Sequence, residues 1–209
     1  MRHDIATANH LTRGQESAVL LKIAEQTGIQ NVGEAAKAFL QGSFEIVRIK
    51  IVDVIGTATT STTADKFVAK DKFITDSKGI KFKGISGNFT KWFLGGDGKI
   101  EEPIGEKVLR YGNLIKHSTD GPIMEELGGE TKVETSLTEL YDLLIKQSNG
   151  EEGVLLTNGH ANIFWIRDIG GVMRTFFVCW ESGYWLVYVY YNMNPRSWSA
   201  GTRVFFRSS

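Results

Sequence analysis

The chain has one cysteine, no net charge and no long apolar run, and each scarcity excludes something. Cys179 alone forbids an intramolecular disulfide. A lone cysteine in an apolar run reads as a small core residue, and nothing calls for an oxidising compartment. Lys plus Arg and Asp plus Glu balance at 24 each. A neutral chain gives no electrostatic reason to expect nucleic acid or an anionic membrane as partner. It does make a homo-oligomer easier to form. No stretch approaches the roughly 18 apolar residues that span a bilayer. The opening MRHDIATANHLTRGQ lacks the apolar core of a secretory signal, so the expected location is cytoplasmic. Asn88-Phe89-Thr90 is then a chance glycosylation match.

Signatures of chemistry are equally scarce. The four histidines are His3, His10, His117 and His160, and none has ligands at a recognised metal spacing. No GxSxG or HExxH occurs. LGGDGKIEEP imitates a phosphate loop, but Phe93 stands where the first glycine is needed and Ile100 where Ser or Thr is needed. Glu125, Glu126, Glu151 and Glu152 read as solvated, and Asp168 and Glu181 as strand-end charges meeting water. No catalytic residue, metal site or cofactor is expected.

What the chain has in abundance is aromatic residues near its end. Residues 161–207 hold four of the five tryptophans and the run Tyr184, Tyr188, Tyr190, Tyr191. Three apolar runs separated by short turn signals give the pattern of an antiparallel meander. Side chains alternate along a strand. Trp185, Val187, Val189 and Tyr191 therefore share one face, and Tyr184, Leu186, Tyr188 and Tyr190 the other. The first face reads as core. The second carries tyrosines, whose rings supply contact area and whose hydroxyls tolerate water. The preceding run alternates Arg174, Phe176, Val178 and Trp180 with Met173, Thr175, Phe177 and Cys179.

Earlier in the chain, Thr12 with Gln15 and Asn31 with Glu34 fit capping boxes, and Gly28 and Gly42 fit stops. They predict a helical hairpin. Lys37 is the only cation of its second helix, too little for phosphate contacts. Phe44–Ile55 reads as a strand. GTATTSTTA, residues 56–64, carries no charge and reads as a linker. Ile80 and Phe82 alternate with Lys81 and Lys83 as a strand. Lys107–Ile115 reads as another, followed by a short helix with Pro122 in its first turn. Ser136 with Glu139 opens the best helix, over 136–148, where Leu137, Leu140, Tyr141 and Leu144 form one stripe. Val154–Thr157 reads as a short strand before the turn Asn158-Gly159.

The C-terminal half carries a resemblance. Its residues are LRYGNLIKHSTDGPIMEELGGETKVETSLTELYDLL, then GVLLTNGHANIFWIRDIGGVMR, then the frame Trp180, Gly183, Trp185, Val187, Pro195, Trp198, Gly201, Arg203, Val204 and Phe205. From about Leu109 onward the chain resembles an uncharacterised protein family of uncultured small-genome bacteria. That resemblance transfers no catalytic residue. The Tyr, Asn, Ser, Arg and Thr between the frame positions are similar in composition to variable proteins of diversity-generating retroelements. The similarity implies a fixed scaffold with a changeable binding surface, although no clear C-type-lectin motif accompanies it.

The expected fold class is α+β: an N-terminal helical hairpin, a mixed middle region and a C-terminal antiparallel meander packed on a helix. The expected domains are 1–56, a possible linker at 57–64, and 65–209. The leading expectation for function is non-enzymatic binding of a protein or small molecule. The candidate contacts are Tyr184, Leu186, Tyr188, Tyr190, Asn192, Asn194, Arg196 and Trp198. The alternatives are an enzyme centred on His160 and Cys179, and a self-assembling structural subunit.

Overall fold

In the computed structural model the described residues are 50–74, 79–190 and 197–207. In chain order they form β1 (Val52–Thr60), β2 (Phe67–Val68), α1 (Ala69–Lys72), β3 (Phe82–Ile85) and α2 (Gly87–Phe93). There follow β4 (Ile100–Glu101), β5 (Lys107–Leu114), β6 (Ser118–Thr119), α3 (Asp120–Glu126), α4 (Glu130–Val133), β7 (Glu134–Thr135) and α5 (Leu137–Lys146). The chain closes with β8 (Asn162–Arg167), β9 (Met173–Glu181), β10 (Tyr184–Tyr190), β11 (Ser197–Trp198) and β12 (Arg203–Arg207).

Eight strands make one mixed sheet in the order β1-β5-β12-β8-β9-β10-β3, with β7 also beside β8. This overturns the α+β arrangement expected from sequence. The pairs β8–β9 and β9–β10 are antiparallel, as a meander requires. However, β12 runs parallel to β8, β7 parallel to β8, and β3 parallel to β10. The last strand does not follow β10. It crosses to the middle and pairs with β5 on its other side. The reason lies in its composition. Val204 and Phe206 are buried on one face and Phe205 on the other, and a strand apolar on both faces belongs inside a sheet. The expected helical hairpin lies outside the described residues.

The contacts divide the chain between Ile49 and Lys50, not at a Thr-rich linker. Gly56–Thr60 belong to β1, paired with Lys107–Tyr111 of β5. Threonine suits a strand as well as a tether, and pairing decides between them. Val154–Thr157 is likewise no strand. Buried side chains hold its backbone instead. Gln147 Oε1 accepts from Leu155 N at 2.7 Å, Asn162 Oδ1 accepts from Leu156 N at 2.7 Å, and Arg203 donates to the Val154 carbonyl at 2.6 Å.

One sheet face packs on α5 and α2. Leu137, Leu140, Leu143 and Leu144 meet Phe89, Phe93, Phe164, Phe176, Trp185, Val187, Val189 and Phe205 in one buried cluster. The Ser136 hydroxyl accepts from Glu139 N at 3.2 Å, and Glu139 returns the bond to Ser136 N at 2.8 Å. The capping box therefore forms as the sequence predicts. Glu101 adds a second cap, accepting from the N–H groups of Leu137 and Thr138 at 3.0 and 2.8 Å. Arg207 pairs with buried Glu139. Burial pushes the Glu139 carboxyl up, opposed by Arg207 and Ser136.

The other face carries Val52, Leu114, Ile163, Trp165, Phe177, Val204 and Phe206, covered in part by Ile123 of α3 and Val133 of α4. Between β9 and β10, Glu181 pairs with Tyr184. Ser182 and Gly183 both have positive φ, 53° and 87°, which matches the twist of a two-residue hairpin.

Candidate binding face

The expected alternation of β10 is present. Trp185, Val187 and Val189 are buried, Leu186, Tyr188 and Tyr190 are half-buried, and Tyr184 is 43% exposed. Leu186 lies opposite Cys179, Tyr188 opposite Phe177, and Tyr190 opposite Thr175. Phe177 stacks with Tyr188 at 5.0 Å and 13°, and with Tyr190 at 5.0 Å and 27°. Trp198 meets Phe177 edge-on at 5.3 Å. Such contacts are worth about 0.5–1.5 kcal/mol each beyond area burial. The tyrosines are thus anchored at one side and open at the other.

Trp198 is placed by a long-range contact. Its Nε1 donates to Asp120 Oδ1 at 2.8 Å, while Thr175 Oγ1 donates to Asp120 Oδ2 at 2.9 Å. β11 pairs with β6, directly before α3, so the same region of chain fixes both the backbone and the ring. Burial pushes the Asp120 carboxyl up, against donors from Trp198, Thr175 and Trp165. The Trp165 indole N–H is buried without a full hydrogen bond of its own.

Beside Trp198 opens a cleft of ≈ 250 Å³ lined by Gly159, His160, Ala161, Phe177, Ser197, Trp198, Ser199 and Thr202. Its lining combines two aromatic rings with hydroxyls and an imidazole. Asn158 Oδ1 accepts from His160 N at 3.2 Å, holding the turn that presents the ring. Phe177 lines this cleft and also stacks with Tyr188 and Tyr190, so one ring supports both.

The structure therefore brings Leu186, Tyr188, Tyr190 and Trp198 onto one face, with Tyr184 at the exposed hairpin end. Trp198 is only 5% exposed, so it supports the cleft wall and offers little area of its own. Asn192, Asn194 and Arg196 lie outside the described residues. Sequence reasoning missed Phe177 and Asp120 as parts of the site. Phe177 could have been found from its place on the Thr175–Cys179 face. Asp120 gave only the signal of a helix start.

No hydrogen bond is seen between Cys179 and His160, and the His160 ring packs over Gly201, whose added Cβ would meet it at 3.1 Å. Burial and then the charge of Glu181 push the Cys179 thiol up, away from the thiolate a nucleophile needs. Among the described residues, no three His, Cys, Asp or Glu side chains are grouped to hold a metal ion. No described helix is long and apolar enough to cross a membrane.

No family model, curated protein or solved structure matches the chain.

Proposed function

We propose that this protein is a non-enzymatic binding module whose partner is another protein. The partner lies along the Tyr184–Tyr190 face and inserts one side chain into the cleft beside Trp198. The tyrosine face carries this reading. Tyr188 and Tyr190, half-buried and stacked on Phe177, supply rigid flat contact area, and the cleft of ≈ 250 Å³ beside Trp198 has room for one anchoring side chain. In the retroelement-diversified version of this reading, the half-buried tyrosines change while Trp185, Val187 and Val189 stay as scaffold.

The test is capture from native lysate with wild type and with a Tyr188→Ser, Tyr190→Ser, His160→Ala variant, both first shown to melt cooperatively. Loss of a wild-type partner by the folded variant supports the reading. Retention of every wild-type partner sinks it. Resequencing the locus in clonal descendants tests the diversified version, which requires changes concentrated at 188, 190, 191, 192, 194, 196, 197, 199 and 202, with Pro195, Trp198 and Gly201 unchanged.

A further inference from the structure

The two ends of the sheet are guarded differently. At one end, β3 is four residues long and carries exposed Lys83, and short, lysine-bearing strands resist adding another strand. At the other end, β1 is nine residues long, and no described strand pairs with its outer side. From Val54 to Ala64 it and its continuation carry no charge. A bulge between Val54 and Gly56 interrupts the first part, which leaves Gly56–Thr60 as the regular stretch. Ile55 and Val108 beside it are 47% and 42% exposed.

Part of that edge is occupied by an ion pair from α5. Lys146 Nζ donates to the Thr59 carbonyl at 2.8 Å and to Asp142 Oδ2 at 2.7 Å. Asp142 Oδ2 also accepts from Ser61 N at 3.2 Å. Thr59 C=O and Ser61 N–H, two residues apart, are an acceptor and donor of the kind a neighbouring strand would engage. The i, i+4 pair on α5 satisfies them instead. The helix is fixed by its leucine face and its two caps, so the pair is held at the edge.

We propose that Asp142 and Lys146 form an edge clamp, and that the β1 edge beneath it is where a second copy of this chain pairs once the clamp is removed. The occupant follows from charge. Antiparallel pairing of β1 with itself about Ala58 sets Thr57 against Thr59 and Gly56 against Thr60, and no like charges meet. The chain's net charge of +0 adds no long-range repulsion between copies. Ile55, on β1 itself, would gain cover from the partner. This surface is at the opposite end of the sheet from β10, so it does not depend on the binding face.

The experiment is sedimentation equilibrium of the full chain over a wide concentration range. The Asp142→Ala, Lys146→Ala variant should dimerise at least tenfold more tightly than wild type, and adding Thr57→Lys should reverse the gain. The clamp is a partly exposed pair, so its loss costs little stability. If the double variant nevertheless melts without cooperativity, Lys146→Met alone frees the Thr59 carbonyl and must show the same direction. A folded variant with unchanged mass overturns the proposal. So does association that survives Thr57→Lys, which places the contact elsewhere. A variant that stays monomeric when pure but captures a different chain overturns the second-copy assignment.

Discussion

Replacing Asp168 by Asn tests the electrostatics of the β8–β9 turn. Asp168 was expected to meet water, yet it is 5% exposed. Its Oδ1 accepts from the N–H groups of Gly170 and Val172 at 2.8 and 2.9 Å, and its Oδ2 accepts from Arg174 Nε at 2.8 Å. The Arg174 guanidinium lies 4.2 Å from the centre of the Trp92 ring, tying the turn to α2. Burial alone would raise the Asp168 carboxyl. The Val172 N–H, Arg174 and the Gly170 N–H outweigh it and hold the group below the ordinary carboxylate range. Asn can keep one acceptor for the turn but removes the charge facing Arg174. Breaking one side of a buried pair costs about 3–5 kcal/mol. In a domain of this size that is a fall of roughly 6–20 °C in Tm. The pH dependence follows from the lowered folded value. The ionised group stabilises above its unfolded pKa of about 3.9, and the gain is lost as pH falls through the folded value. Urea unfolding of wild type and Asp168→Asn should therefore differ widely at neutral pH and converge in acid. A loss under ~1 kcal/mol at neutral pH, near what an exposed pair gives, would refute the reasoning. So would a difference that ignores pH.

Asp120 titrates in the opposite sense. Its raised folded value means that stability present below about pH 3.9 is lost as pH rises through that value. Asp120→Asn, which keeps an acceptor for Trp198, should thus gain Tm relative to wild type above neutrality and gain nothing in acid, as read by thermal melts across pH. Gly150 has φ +73°, and a Cβ there would meet the Trp180 ring at 2.2 Å. Gly150→Ala should cost about 2–3 kcal/mol in denaturant unfolding from strain and clash together. The two faces of β10 should separate in the same assay. Trp185→Ala should cost about 3–5 kcal/mol, whereas Tyr184→Ser at the exposed end should change stability by less than ~0.5 kcal/mol.

What was legible in the sequence was local. The alternation in YWLVYVY separates buried Trp185, Val187 and Val189 from the half-open tyrosines because a strand's period is read within seven residues. Ser136 and Glu139 announce their capping box because donor and acceptor are three residues apart. What stayed hidden depends on distant partners. RVFFR, apolar on both faces, says that it belongs inside a sheet but not that its neighbours are β5 and β8, because both come from far up the chain. The role of Asp120 hides similarly. Its position reads as a helix start, but its carboxylate serves Trp198, 78 residues later. The aromatic face was therefore visible as a list of tyrosines before its support could be seen. Phe177, with its neighbours in stacking contact, and Trp198, hydrogen-bonded to Asp120, convert that list into a shaped surface. A substitution at Asp120 that displaces Trp198 should consequently alter partner capture without touching any residue the partner meets.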